Sequence, residues 1–167
     1  MSLNSRPDFS RGIGGRPSRV SATARREAAR AIALLWLGRT VDRASLTAVD
    51  GGRVTPVESN ALIVGLTLAP AEQDALVHLA AHAAAHRGGR ASREASRRDP
   101  DLRLARRATL PPGRTLAELD QLIRRYLAQH ADLLNALAAT LQARGTVEGI
   151  EVRRMALRAR LRRPPGR

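Results

Sequence analysis

Three histidines recur at four-residue intervals in this sequence, at His78, His82 and His86. Side chains at positions i and i+4 share one face of a helix, so two neighbours from this set have the spacing of a metal-chelating pair. Asp74 precedes them by one step, but it would lie about 18 Å from His86 along a helix axis, too far to share one ion. A third ligand would have to come from elsewhere, and His130 is the only other histidine. We therefore expect a polar stripe on this helix rather than a metal site.

The carboxylates offer no obvious acid–base pair. Asp99 and Asp101 flank Pro100 in a basic stretch, where neighbouring arginines would keep them ionised as structural partners. The chain has no Cys and no Lys, which excludes thiolate zinc sites, disulfides, Schiff bases and Walker-type phosphate loops. It also contains no G-x-S-x-G and no H-E-x-x-H motif. We therefore expect a protein that is not an enzyme and uses no cofactor.

Arginine is the residue type that stands out. All 29 basic residues are Arg, against 15 acidic residues, and the net charge of the 167-residue chain is +14. Its planar guanidinium fits phosphate through two hydrogen bonds and stays protonated. Three basic blocks alternate with two near-neutral apolar ones, a layout typical of core elements flanked by binding segments. The candidate phosphate contacts are Arg97, Arg98, Arg106, Arg107, Arg124, Arg125, Arg153, Arg154, Arg158, Arg162 and Arg163.

This charge predicts an accessory protein that binds the backbone of DNA or RNA. Phe9, Trp36 and Tyr126 are the only aromatic residues, too few for a platform on which bases stack. The alternative is a protein–protein scaffold in which the segment 115–144 associates with other subunits or with a second copy, and charge serves solubility. The longest apolar run, 31–37, is far short of the roughly 20 residues that cross a bilayer, so we expect a cytoplasmic protein without a membrane partner.

The periodicity predicts a mainly α fold, a small helical bundle with a minor β-hairpin or short-strand element. Helices are expected at 21–38, with Arg26 and Arg30 pointing away from its buried face, and at 70–87. A capping box at Thr115–Glu118 opens a third helix, predicted to run unbroken to residue 144. Two β-prone runs, at 46–49 and 53–57, are joined by Asp50-Gly51-Gly52 and predict a hairpin. A separate buried strand is expected at 61–68.

The chain divides into three parts on these grounds. Residues 1–20 are a flexible basic arm, and 21–145 form the helical core domain, with a basic Pro-containing linker at 87–114. Residues 146–167 form a basic C-terminal segment, which we also expect to be a flexible arm. In this segment Ile150, Leu157 and Leu161 form a narrow apolar line, and arginines occupy the rest of the helix circumference.

Residues 61–98 resemble the ribbon-helix-helix pattern of plasmid-mobilisation accessory proteins. The matching letters are Ala61-Leu62-Ile63-Val64-Gly65-Leu66-Thr67-Leu68, Pro70-Ala71-Glu72, Leu76, Leu79-Ala80 and Gly89-Arg90-Ala91-Ser92-Arg93-Glu94. The resemblance implies a dimer formed through the strand, which would lie in the major groove of DNA. In size, charge and helicity the chain is also similar to the small helical subunits of CRISPR effector complexes, which implies a non-catalytic role in a ribonucleoprotein.

Overall fold

The computed structural model describes residues 20–46, 54–57, 68–86 and 98–160 of the chain. Within these ranges the protein is mainly helical and carries a small three-stranded antiparallel sheet, so the predicted fold class is confirmed. The predicted N-terminal arm and the residues from 161 onward lie outside the described ranges. The elements in chain order are α1 (Ala22–Trp36), β1 (Thr40–Ser45), β2 (Val54–Val57), α2 (Pro70–Ala85), α3 (Pro100–Arg107), α4 (Leu116–Gln129), α5 (Ala131–Arg144), β3 (Thr146–Glu148) and α6 (Gly149–Arg158).

The core is built on two alanine-rich helices. Helix α1 packs along α2, α5 covers α1, and α3 and α4 both pack on α2. Ala28 and Ala31 of α1 and Ala80 of α2 are fully buried, and side chains this small let the two helix axes approach closely. Larger apolar residues, such as Ile32 and Leu79, fill the remaining space and are also buried.

The helix starts follow the capping signals in the sequence. The hydroxyl of Ser21 accepts a hydrogen bond from the backbone N–H of Ala24 at 3.1 Å. Before α4, the Thr115 hydroxyl accepts from the N–H of Glu118, and the Glu118 carboxylate accepts from the N–H of Thr115 at 2.7 Å. This reciprocal pair is the capping box that the sequence predicts.

The predicted unbroken helix over 115–144 is wrong, because the structure breaks it at His130. That residue leaves helical geometry, with φ −113° and ψ 32°, and separates α4 from α5. Its N–H still bonds to the carbonyl of Tyr126, and its carbonyl accepts from the N–H of Leu134. The apolar stripe therefore continues through His130 without a gap, so the periodicity of the sequence does not reveal the break. The bend lets α4 pack on α2 while α5 packs on α1.

The sheet also differs from the expectation. Its central strand is β1, which pairs antiparallel with β2 on one side and β3 on the other. The first strand was predicted at 46–49, yet β1 lies earlier and Leu46 is outside it. The sequence does not predict this strand, because exposed Asp42 and Arg43 interrupt its apolar pattern. The predicted turn at 50–52 and the strand residues 61–67 lie outside the described ranges, and Leu68 is buried but not in a strand.

Residues 146–160 are packed into the fold. Strand β3 pairs with β1, and the backbone of Gly149 lies so close to β1 that a Cβ there would sit 1.7 Å from the Val41 carbonyl oxygen. Helix α6 buries Val152 and Ala156. The predicted apolar line is therefore on the wrong side of the helix, since Ile150 and Leu157 are 63% and 71% exposed. The two small buried residues suit the close approach to β1 better than large ones would.

Candidate functional site

Eight charged or titratable side chains meet where α1, α2 and the start of α3 pack together, and we call them the charge cluster. Asp99, the residue before α3, is at its centre. Its Oδ2 accepts a hydrogen bond from Arg26 at 2.7 Å and lies 2.9 Å from Nε2 of His86. Its Oδ1 accepts from the backbone N–H of Asp101 at 2.9 Å, which caps α3. The members of the charge cluster are Arg26, Glu27, Arg30, His78, His82, His86, Asp99 and Asp101.

Asp101 is fully buried and forms the second half of the charge cluster. Its carboxylate forms a close salt bridge with Arg30 and lies 3.3 Å from Nδ1 of His78. Arg26 approaches its other oxygen at 3.7 Å. Asp101 therefore joins α3 to both α1 and α2, because its partners belong to those two helices.

The prediction that Arg26 and Arg30 point away from the buried side of their helix is wrong. Both guanidiniums turn toward α3, and their side chains are only 24% and 21% exposed. Glu27, on the same helix, is buried and bonds to Arg30 at 2.6 Å. Asp99 and Asp101 are structural partners of arginine, as predicted, but the arginines come from α1 and not from the neighbouring sequence.

The surroundings shift the acidities of the three carboxyl groups in different directions. Burial acts to raise the pKa of Asp99, but His86, His82 and Arg26 outweigh it and lower that pKa below its usual value. Burial also acts to raise the pKa of Asp101, but His78, Arg30 and Arg26 outweigh it, so the pKa of Asp101 is lowered too. At Glu27 burial wins over the attraction of Arg30 and raises the pKa to about 7. The two aspartates are therefore the fixed negative charges of the charge cluster.

The histidine stripe faces these aspartates. His82 is buried, and its Nδ1 lies 3.2 Å from Oδ2 of Asp99. One ligand atom each from His82, His86 and Asp99 lies within 4.8 Å of the other two, an arrangement that could hold a metal ion. Sequence reasoning identified the histidine spacing but not this third ligand. Asp99 is 13 residues from His86, and no local pattern links them.

The predicted phosphate-binding arginines lie on separate helices. Exposed Arg106 and Arg107 end α3, and exposed Arg125 is on α4. These arginines do not form one cluster with the arginines of α6, because α3 and α4 pack on α2 whereas α6 packs on β1. The remaining predicted residues within the described ranges are Arg98, Arg124, Arg153, Arg154 and Arg158, all exposed, and those outside them are Arg97, Arg162 and Arg163.

Three of these arginines form what we call the α6 arginine face: Arg153, Arg154 and Arg158. In the part of the chain that the structure describes, none of them pairs with a carboxylate. The acidic residue within α6, Glu151, bonds to Arg144 at 2.7 Å. The positive charge of this face is therefore not neutralised by a carboxylate within the described ranges. By contrast, Arg124 is bonded to Asp120 at 2.7 Å and is partly neutralised.

A comparison of the chain with protein-family models found no match, and a comparison with curated proteins found none either. Among the helices in the described ranges, none combines the length and the apolar character that crossing a membrane requires.

Proposed function

We propose that this protein is a non-enzymatic, cytoplasmic nucleic-acid-binding protein that acts as an accessory subunit of a nucleoprotein complex. The observation that carries the proposal is the α6 arginine face, three exposed guanidiniums on one helix without carboxylate partners among the described residues. Guanidinium pairs with phosphate through two parallel hydrogen bonds. Such contacts position a protein on a nucleic acid without reading its sequence.

The way charge is divided in the molecule supports this proposal. The arginines that the fold needs, Arg26 and Arg30, are half-buried and paired with Asp99 and Asp101. The α6 arginines serve no such purpose, because the helix is held by Val152 and Ala156 on its opposite side. A solvated helix surface normally mixes both signs of charge. An uncompensated row of cations fits a polyanionic partner.

The tight docking of α6 also favours binding. Close contact with β1 at Gly149 and the pairing of β3 with β1 fix the position of the helix. The guanidiniums therefore start from a fixed backbone, which lowers the entropy lost when they bind phosphate. Ile150 and Leu157 border the same face and add apolar surface that can lie against sugars.

No observation in the described ranges favours the alternative scaffold role for 115–144. The stripe that would form its seam includes Leu119, Ile123, Leu137 and Leu141, and the protein's own core buries all four. They could meet a partner only after that core opened, and opening it exposes them to water at a cost of about 1.5–3 kcal/mol each.

The binding test compares two double variants that lose the same charge. R153Q/R154Q removes two unpaired arginines, and R39Q/R124Q removes two that already pair with Asp74 and Asp120. Anisotropy with mixed-sequence DNA duplexes and with single-stranded RNA measures affinity. We expect R153Q/R154Q to weaken binding at least about tenfold, or about 1.4 kcal/mol, and R39Q/R124Q to weaken it less than about threefold. Equal losses would show that net charge alone drives binding and would contradict the role proposed for the α6 arginine face.

A further inference from the structure

We propose that His82, His86 and Asp99 bind one Zn²⁺ ion, which fastens α2 to the start of α3. This inference is independent of nucleic-acid binding. The two histidines lie one helical turn apart on α2, and Asp99 precedes the first residue of α3. Imidazole nitrogen and carboxylate oxygen are both ordinary zinc ligands.

The distances within the charge cluster suit a zinc ion. Oδ2 of Asp99 lies 2.9 Å from Nε2 of His86 and 3.2 Å from Nδ1 of His82, and one ligand atom from each of the three residues lies within 4.8 Å of the other two. Tetrahedral zinc with bonds of about 2.0–2.1 Å separates its ligand atoms by roughly 3.4 Å. The two separations measured from Oδ2 are close to this value.

His82 supplies a second, separate observation. The residue is only 6% exposed, and its Nδ1 has no hydrogen-bond partner in the part of the chain that the structure describes. That atom lies 3.2 Å from Oδ2 of Asp99 without forming a hydrogen bond to it. A buried polar nitrogen that makes no hydrogen bond costs about 1–3 kcal/mol in a folded protein. A metal bond at Nδ1 would satisfy it.

Asp99 is held in position for such an ion. Its Oδ1 caps α3 through the N–H groups of Asp101 and Leu102, which orients Oδ2 toward the histidines. Arg26 also donates to Oδ2, but a carboxylate oxygen has two lone pairs and can accept a second partner. A hydrogen bond to a ligating carboxylate is the usual outer support of a metal site.

The local charge also allows a divalent cation. The charge cluster contains three carboxyl groups, Glu27, Asp99 and Asp101, and two arginines, Arg26 and Arg30. With all three carboxyl groups ionised, these five side chains carry a net charge of −1, and bound Zn²⁺ brings it to +1. The His86 side chain is 22% exposed, which gives the ion a path from solvent and leaves room for a water as fourth ligand.

The test uses the full chain without a polyhistidine tag, stripped with EDTA and titrated with ZnCl₂ by calorimetry at pH 7.5 in the absence of nucleic acid. We expect one equivalent of Zn²⁺ to bind. The Tm should rise by about 5–10 °C when free Zn²⁺ is a hundred times its Kd, because the ion binds the folded state. His86→Gln should weaken binding at least about tenfold.

His78→Gln is the matched control. His78 lies on the same helix and contacts Asp101, but it is not among the three ligands. We expect its Zn²⁺ affinity to stay within about twofold of the parent value, while His86→Gln keeps the helical circular dichroism of the parent. No stoichiometric Zn²⁺ binding by the parent protein would overturn the proposal, and so would equal losses in the two variants. Neither result bears on the α6 arginine face.

Discussion

Asp101 is buried completely, and its charged partners are Arg26 and Arg30 of α1 and His78 of α2. Asp101→Asn keeps the shape and removes the charge, leaving two half-buried arginines with less compensation. We expect this change to lower the free energy of unfolding by about 2–4 kcal/mol, measured by urea denaturation.

Asp74→Asn is the control for this substitution. Asp74 also pairs with an arginine, Arg39 at 3.2 Å, but its side chain is 62% exposed. Solvent screens such a pair, so we expect a loss below about 1 kcal/mol. Equal losses in the two variants would show that the charge cluster does not hold the three helices together.

Glu27 should make the stability of the protein depend on pH. Its pKa rises from the ordinary value of 4.5 to about 7, so the folded state binds a proton between these pH values that the unfolded state does not. The contribution is complete below about pH 4.5, and it is lost as pH rises through about 7. At about 1.4 kcal/mol per pKa unit, we expect stability to fall by roughly 2–3 kcal/mol from pH 5 to pH 8.

Glu27→Gln isolates this effect, because it removes the titrating group and keeps the side-chain size. Denaturation of both proteins at pH 5 and pH 8 in EDTA gives the comparison. Between pH 5 and pH 8, the free energy of unfolding should fall much less in the variant than in the parent protein. A fall of the same size in both proteins would show that Glu27 does not cause it.

Sequence reasoning reached part of the charge cluster. It identified the histidine spacing and the structural role of Asp99 and Asp101. It did not identify Glu27, because a single glutamate on an alanine-rich helix has the same pattern as a solvated one. Nor could it bring α1 to α3, since the partners Arg26 and Asp99 are 73 residues apart.

At the scale of elements, helix starts with a strong local capping signal were predicted correctly, whereas the helix break and the short strand depend on tertiary packing. The capping box at Thr115 and Glu118 forms as expected. The sequence does not predict the break at His130 because no Gly or Pro marks it. The break follows from packing, since α4 packs on α2 and α5 packs on α1. Strand β3 was missed because three residues are too few for a period. Both errors arise from contacts that no local window contains.

The junction between β3 and α6 gives a test at this scale. Gly149→Ala places a Cβ 1.7 Å from the Val41 carbonyl oxygen, so backbone must move. Gly145→Ala meets open space and carries only the strain of φ +75°. We expect the first change to cost about 3 kcal/mol or more and the second about 1–2 kcal/mol, measured by thermal denaturation. The reverse order would contradict the docking of α6 on β1.

For the whole molecule, the net charge of +14 is the property that the sequence conveyed most directly. The sequence could not show which arginines the fold itself uses. The structure separates Arg26 and Arg30, paired with buried aspartates, from the exposed α6 arginine face. The proposal that α6 binds phosphate rests on this separation.

The most direct test of that claim is the salt dependence of nucleic-acid affinity. Each phosphate contact releases counterions and contributes about 0.9 to the slope of log K against log salt. We expect a steep slope for the parent protein and one shallower by up to about 3 units for R153Q/R154Q/R158Q, with little change in Tm, because these side chains are exposed. An unchanged slope with a large loss of Tm would show that these arginines stabilise the fold and do not bind phosphate.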